Sequence, residues 1–195
     1  MDLSPPTLRG RWLTLEPLEE RHAPDLFAVM QDEEVCRYLA WPPPTRLDET
    51  LALVRDAREG MARGQTLAFA QILNATGRVV GSTRFLDIRP ADRQVEIGST
   101  FLGREHWRTP ANTESKLVML GHAFEHWGCV RVALKTDARN VRSQEAIARL
   151  GAVREGVLRK HMNVRGYQRD TVYFSILADE WPVVKARLSQ SLTPR

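Results

Sequence analysis

The chain has little cysteine, few aromatic residues and no long apolar segment. Its two cysteines, Cys36 and Cys129, stand alone in 195 residues, so neither a disulfide framework nor a cysteine-based metal site is expected, and both read as small buried residues. No apolar run approaches the roughly 20 residues that span a bilayer, and no apolar leader follows a basic start. With 43% hydrophobic residues, we expect one compact domain, residues 1–195, located in the cytoplasm.

Several motifs of common enzyme classes are also missing. The chain contains no GxGxxG, GxxxxGK[ST], HExxH or GxSxG, which excludes the commonest dinucleotide, P-loop, zinc-protease and serine-hydrolase sites. His122 and His126 have a spacing compatible with metal binding on a helix, but no third ligand stands beside them. We therefore expect no metal.

The net charge of +4 is unevenly distributed, because residues 131–170 hold ten Lys or Arg against four Asp or Glu. This surplus suits an anionic ligand or an acidic or nucleic-acid partner, although a solvated basic face is the commoner explanation. The segment lacks the interleaved aromatic residues of a single-strand-binding platform. We therefore expect little nucleic-acid binding from its arginines, among them Arg139, Arg142, Arg149 and Arg154.

Hydrophobic periodicity and turn residues predict alternating strands and helices. The strands are predicted at 8–18, 66–73, 78–88, 94–102, 130–136, 153–160 and 168–177. The helices are predicted at 23–30, 45–63, 110–127 and 140–150, with a short one from 179. The turn NATG predicts a hairpin between the second and third strands. The fold class is therefore α+β, with a mixed, mostly antiparallel central sheet of about seven strands flanked by helices.

Two segments of the chain are distinctive, LRGRWLTLEPL at Leu8–Leu18 and TDARNVRSQEAIARLGAVREGVLRKH at Thr136–His161. They resemble the GCN5-related N-acetyltransferase (GNAT) superfamily, and in particular its ribosomal-protein alanine N-acetyltransferase-like branch, and the likeness extends over nearly the whole chain. The resemblance implies the GNAT fold, with a sheet that splays between the fourth and fifth predicted strands. It also implies acetyl-CoA as cosubstrate in that opening, and no metal.

In this family a loop usually written [RQ]xxGx[GA] meets the cofactor's pyrophosphate, and here Arg108 and Pro110 stand at its two small-residue positions. Arg108 is expected to restrict the loop to fewer backbone conformations than glycine allows. Pro110, in contrast, suits the first position of a helix capped by Thr109. Arg108 adds a charged contact to the site, or is a solvated arginine beside a purely structural cap. The amides left for the pyrophosphate are those of Ala111, Asn112 and Thr113.

The resemblance also implies catalytic residues. Glu96, on the strand bordering the opening, is the candidate general base, acting through a water, and Ser143 is the candidate acid for the departing thiolate. Asn140 would lie near the pantetheine. Each has a plainer interpretation, since Glu96 also reads as a surface residue of a strand, and Asn140 and Ser143 as helix-capping and first-turn residues.

The strand that carries Glu96 is also expected to supply backbone groups. The pantetheine would pair with its exposed backbone at Thr100, Phe101 and Leu102. An amide near Thr100 or Phe101 would meet the oxyanion of the tetrahedral intermediate.

In this superfamily the N-terminal helices cover the acceptor side, so the resemblance implies acceptor binding beneath them, where Trp41 in the loop WPPPT, Tyr38 and Arg84 are candidate contacts. Trp41 reads equally as a buried anchor for a rigid loop. At pH 7 roughly 10% of an α-amine is neutral, against about 0.04% of a lysine, so a weak base such as Glu96 favours a protein N-terminus or a small amine. A ribosomal protein and a second copy of the chain remain compatible partners. The alternative function is a catalytically silent acyl-CoA-binding or ribosome-associated module.

Overall fold

The computed structural model describes residues 1–193 and contains one eight-stranded sheet flanked by helices. The strands are β1 Leu8–Arg9, β2 Leu13–Pro17, β3 Leu67–Leu73, β4 Val79–Arg89, β5 Gln94–Leu102, β6 Arg131–Asp137, β7 Val153–Val164 and β8 Tyr167–Leu177. The helices are α1 Ala23–Val29, α2 Glu33–Cys36, α3 Leu47–Ala62, α4 Pro110–Gly121, α5 Val141–Leu150 and α6 Trp181–Ser191, and α4 runs on into a π-helical turn, His122–His126. No helix within residues 1–193 is both long and apolar enough to cross a bilayer.

The strand order is β1-β2-β3-β4-β5-β6-β8-β7, and every neighbouring pair is antiparallel except β5 and β6. The predicted α+β class with a mixed, mostly antiparallel sheet is therefore confirmed. The sheet has eight strands instead of about seven, because the first predicted strand divides into β1 and β2.

A hairpin turn divides the two strands, with the Gly10 amide donating to the Leu13 carbonyl at 2.8 Å, and Glu114 holds this turn. Its buried carboxylate, on α4, accepts hydrogen bonds from the backbone N–H groups of Arg11, Trp12 and Leu13, at 2.6, 2.8 and 2.9 Å. A side chain at Gly10 would collide with the same carboxylate. The glycine in the segment LRGRWL is therefore required by the close approach of α4 to the bend between the two strands.

Side chains alternate between two apolar clusters, one on each face of the sheet. Leu67 and Phe69 of β3 pack with α4, α5 and α6 on one face, here called the α4 face. Ala68 and Ala70 pack with α1, α2 and α3 on the other, here called the α1–α3 face. Each face of the central strands is covered by helices, so these strands are apolar on both sides.

The two central strands separate after a short parallel contact. β5 and β6 pair only from Gln94 opposite Arg131 to Glu96 opposite Ala133, whereas β6 stays paired with β8 as far as Asp137. Beyond Glu96 and Ala133 the facing edges of the two strands are therefore unpaired. This opening is the predicted splay.

A β-bulge lies in β5 beside this opening. Ser82 of β4 pairs with Phe101 and Arg84 pairs with Gly98, so Ser99 and Thr100 together oppose a single residue. Ser99 has a φ of 46°, which aims its neighbouring peptide groups away from the regular ladder.

Candidate active site

Glu96 lies at the base of the opening, on the α1–α3 face, and its side chain is 4% exposed. One carboxylate oxygen, Oε2, forms an ion pair with Lys135 Nζ of β6 at 2.9 Å. Burial lowers the pKa of Lys135, but the Glu96 carboxylate outweighs burial, and the pKa lies above its ordinary value. The interpretation of Glu96 as a surface residue is therefore wrong.

The second carboxylate oxygen of Glu96 lies over Gly98. A Cβ at Gly98 would stand 2.9 Å from Oε1, closer than van der Waals contact permits. Glycine at this position keeps one oxygen of Glu96 accessible to a water or an amine, while Lys135 holds the other.

The bulge is braced by two buried side chains. The buried side chain of Gln71 donates to the carbonyl groups of Ser82 and Phe101, at 3.2 Å each. On the α4 face, Lys116 Nζ donates to the hydroxyl of Thr100 at 2.6 Å. Thr100 and Phe101, expected to supply an oxyanion contact, thus belong to a backbone segment that has little freedom to move.

Leu102 ends β5 and leads into the loop before α4. Its side chain is buried on the α4 face, and its carbonyl accepts a hydrogen bond from Trp107 Nε1 at 2.9 Å. The carbonyl groups of both Phe101 and Leu102 therefore already have side-chain donors, and each has one acceptor position left for another donor.

Helix α4 begins as the sequence predicted. The Thr109 side chain caps it by accepting from the Ala111 amide at 3.3 Å, and Pro110 occupies the first helical position. In a helix capped at Thr109, the amide of Thr113 makes the first internal hydrogen bond. The Asn112 amide is therefore open to an anion, the Ala111 amide is held by a long bond, and Thr113 is not expected to contribute.

Arg108 itself adopts the left-handed conformation, with a φ of 62°. The expectation that arginine narrows the geometry of this loop is therefore wrong, since the backbone takes the shape that glycine would take. The guanidinium group is exposed and makes no hydrogen bond or ion pair with another residue in 1–193. It is free to meet an anion at the start of α4.

A stacked pair that the sequence did not predict spans the two sides of the opening. Arg142, in the first turn of α5, places its Cζ atom 3.3 Å from the ring centroid of Trp107, in the loop before α4. Arg104 approaches the same ring at 5.8 Å. With Arg108, three arginines therefore surround the start of α4, and this favours an anionic ligand.

Asn140 and Ser143 lie at the start of α5, on the β6 side of the opening. Asn140 is the N-cap, and its Oδ1 accepts from the Ser143 amide at 3.1 Å. Asn140 therefore caps α5, as its residue type predicted. Its side-chain nitrogen has no hydrogen-bond partner among residues 1–193. The Ser143 hydroxyl also has no hydrogen-bond partner in the described chain and is half-buried.

The three candidate acceptor contacts surround the α1–α3 face but do not form one pocket. Tyr38 donates its hydroxyl to the Arg139 carbonyl at 3.2 Å, and both residues line a cleft of about 460 Å³ at the tip of the β7–β8 hairpin. Trp41 and Arg84 line a separate, smaller cavity beneath the loop WPPPT. In the cleft, Arg139 stacks on Tyr167 at 3.6 Å and forms an ion pair with Asp137.

Among the described residues, His122 and His126 do not form a metal site, and the two cysteines are structural. His122 and His126 stack on each other, with ring centroids 5.2 Å apart, and no group of three potential metal ligands converges within residues 1–193. Cys36 and Cys129 are buried in opposite clusters. Burial raises the pKa of each thiol to about 11.

Sequence and structure comparisons agree with this architecture. Residues 12–153 match the model of the acetyltransferase (GNAT) domain. The N-acetyltransferase p20 of Bacillus licheniformis is 27% identical over 175 residues, covering 90% of this chain and 98% of that protein.

Among solved structures, a GCN5-related N-acetyltransferase from Brucella melitensis is 33% identical with a TM-score of 0.93, over 98% of this chain and 87% of that one. RimJ of Mycobacterium smegmatis, solved with CoA-disulfide, shares the fold at 21% identity, with a TM-score of 0.82 over 97% of this chain and 96% of its own. The chain therefore belongs to the GNAT family and is an acetyl-CoA-dependent acetyltransferase.

Proposed function

We propose that this acetyltransferase moves the acetyl group to a primary amine, either a protein N-terminal α-amine or a small amine, by direct attack in a ternary complex. The observation that carries the proposal is the buried Glu96 carboxylate at the base of the β5–β6 opening, with one oxygen free above Gly98. An amine reaching this oxygen, directly or through a water, would lose its proton there.

The remaining groups of the opening suit the later steps of such a transfer. The bulge at Ser99 and Thr100 presents backbone groups beside Glu96, and preorganised amides of this kind stabilise an oxyanion. Ser143, on the opposite side, has an unengaged hydroxyl that would donate a proton to the departing thiolate. The Asn112 amide, the α4 dipole and the Arg108 guanidinium would together hold the diphosphate.

The acid–base arithmetic favours an α-amine or another amine of low pKa over lysine. Neutralising an α-amine at pH 7 costs about 1.4 kcal/mol, whereas lysine costs about 4.6 kcal/mol.

The proposal is tested by measuring CoA thiol released from acetyl-CoA with a panel of amines and N-terminal peptides. We expect release with at least one α-amine or small amine, and a fall in kcat of about 10²-fold or more for Glu96→Gln. Glu59→Gln, which removes an exposed carboxylate on α3, is the matched control and should behave as the unmodified protein. Equal kcat for all three proteins would exclude Glu96 as the base.

Two observations favour a second candidate, the silent acyl-CoA-binding or ribosome-associated module. Arg108 and Pro110 alter the diphosphate loop, and Lys135 already holds one oxygen of Glu96. This candidate predicts that CoA raises the melting temperature while no acceptor releases thiol. Turnover with any amine excludes it.

A further inference from the structure

A small cavity on the α1–α3 face contains three buried polar atoms that lack hydrogen-bond partners in the described chain. Arg84 Nε, Trp41 Nε1 and Thr50 Oγ1 are all shielded from solvent, and their residues line one cavity of about 20 Å³. The other lining side chains are apolar except Ser82, whose hydroxyl already donates to the Phe69 carbonyl. Since buried polar groups are nearly always satisfied, three exceptions around one cavity indicate a missing partner.

The chemistry of these atoms defines that partner. Two are N–H donors and the third is a hydroxyl, so together they require acceptor oxygens. Arg84 also carries a charge. Burial lowers the pKa of Arg84, and Asp56 is the one charged group that acts on this pKa in the opposite direction. No carboxylate of residues 1–193 forms an ion pair with Arg84. A water would supply an oxygen but would leave this charge without a counterion, whereas a carboxylate supplies both.

The position of Arg84 connects the cavity to the reaction. Arg84 of β4 lies directly opposite Gly98 of β5, and the free oxygen of Glu96 lies over that same glycine. Arg84 and Glu96 are therefore diagonal neighbours, whose positions on the two strands are roughly 7–8 Å apart, within reach of long side chains. An acceptor whose amine reaches Glu96 therefore has its nearest substituents beside Arg84.

We propose that the acceptor carries a carboxylate within a few bonds of its reacting amine, and that Arg84, with Trp41 and Thr50, binds this carboxylate. The cavity is about the size of one water, so it admits a carboxylate oxygen while the remainder of the group stays at its mouth. The inference rests on the proposed amine acetylation. It defines the substrate as an acidic amine, which is either a free amino acid-like molecule or a peptide with an acidic first residue.

Paired acceptors that differ only in the carboxylate test the inference. In the first arm, β-alanine is compared with β-alaninamide, and in the second, peptides that begin with Glu are compared with peptides that begin with Gln. We expect kcat/KM to be about 10- to 100-fold higher for the acid in at least one arm, the range for a hydrogen bond to a charged group. The responding arm identifies the small-molecule or the peptide source. Because β-alaninamide has the lower amine pKa, amine basicity alone predicts the opposite order in the first arm.

Variants of Arg84 assign the preference to this residue. Arg84→Gln should reduce the acid-to-amide ratio of kcat/KM toward one, mainly by raising KM for the acid, and Arg84→Lys should restore part of it. Arg89→Gln is the matched control, because it removes an exposed arginine from the same strand, and it should keep the full ratio.

The possible results separate failure of the inference from failure of the proposed function. Amine turnover without preference for the acid in either arm overturns the inference and leaves the proposed function standing. If no amine is acetylated, calorimetry of N-acetyl-β-alanine and its amide with the CoA complex decides the question without turnover. Equal or absent binding of the two compounds overturns the inference, as does an Arg84→Gln variant whose ratio is unchanged.

Discussion

At the scale of single residues, Arg108 combines an unfavourable backbone conformation with an exposed charge at the start of α4. A left-handed conformation costs a non-glycine residue about 1–2 kcal/mol, and the φ of 62° places Arg108 there. A contribution of the guanidinium to binding the diphosphate would explain why an arginine, and not a glycine, stands at this position.

Two substitutions at Arg108 separate these contributions. Arg108→Gly removes the strain, whereas Arg108→Ala keeps it. Glycine also lowers the free energy of unfolding by roughly 0.4–1 kcal/mol, because it has more freedom in the unfolded chain. We therefore expect Arg108→Gly to be more stable than Arg108→Ala in urea titrations by up to about 1 kcal/mol. Both lack the guanidinium, so both should raise KM for acetyl-CoA with little change in kcat. An unchanged KM in both would make Arg108 a solvated residue with no role in binding.

Gly98 offers a test of Glu96 that leaves the carboxylate in place. In Gly98→Ala the new methyl group would stand 2.9 Å from Glu96 Oε1 and 3.1 Å from Leu86 Cδ1, so the free oxygen would be displaced or covered. We expect kcat to fall at least about 10-fold, as steady-state thiol release would show, because the proton acceptor loses its geometry.

Gly156→Ala on β7 is the matched control for Gly98→Ala, since its methyl group would have no neighbour within 4 Å. It should retain full activity. If Gly98→Ala is equally active, the oxygen over Gly98 is not the proton acceptor.

At the scale of secondary-structure elements, the helix ends were the easiest features to predict. Thr109 and Asn140 cap α4 and α5 as their residue types indicated, and Gly151 ends α5 in a left-handed conformation. These depend on neighbours a few residues away. The amides of the turn between β1 and β2 are held instead by Glu114, over 100 residues distant, and no local pattern predicts such a contact.

The buried Lys116 also joins two elements, because it lies on α4 and donates to the hydroxyl groups of Thr100 at 2.6 Å and Thr83 at 3.2 Å. Burial lowers its pKa to about 7, against about 10.4 in the unfolded chain. Between these values the unfolded chain binds more protons than the folded one, so the free energy of unfolding rises with pH from about 7 to about 10.

We therefore expect the unmodified protein to gain up to about 1 kcal/mol of stability per pH unit over this interval, relative to Lys116→Met. Urea titrations of both proteins at several pH values measure this difference, and comparing them cancels groups that titrate in both, such as the two cysteines. A difference that stays constant from pH 7 to 10 would show that Lys116 is protonated throughout.

At the scale of the whole molecule, the sheet order and the splay followed from family resemblance more than from periodicity. Periodicity found every strand from β3 to β8, but the parallel contact of β5 with β6 depends on the crossover connection through α4. Periodicity also could not predict the side-chain pairs across the opening. Glu96–Lys135 and Trp107–Arg142 join residues whose sequence neighbours give no sign of a partner.

The two apolar clusters raise the question of whether both faces of the sheet unfold as one unit, as the proposed single domain requires. Trp107 packs against both clusters, and each cluster contains one buried cysteine, Cys36 on the α1–α3 face and Cys129 on the α4 face. With pKa values of about 11, neither thiol should react with an aromatic disulfide reagent until it is exposed.

The rates at which Cys36→Ala and Cys129→Ala react, each reporting the remaining thiol, therefore measure the opening of each face. If both faces form one cooperative unit, we expect neither thiol to react fast in the folded protein. The free energy of opening, corrected for the stability change that each substitution causes, should be the same in both variants. Desulfo-CoA should slow both reactions equally, since a ligand bound to the native state protects the whole unit. Faster reaction at Cys36 alone would mean that the three N-terminal helices open independently of the rest of the sheet. Acceptor binding beneath those helices would then involve their movement, and desulfo-CoA would slow Cys129 without slowing Cys36.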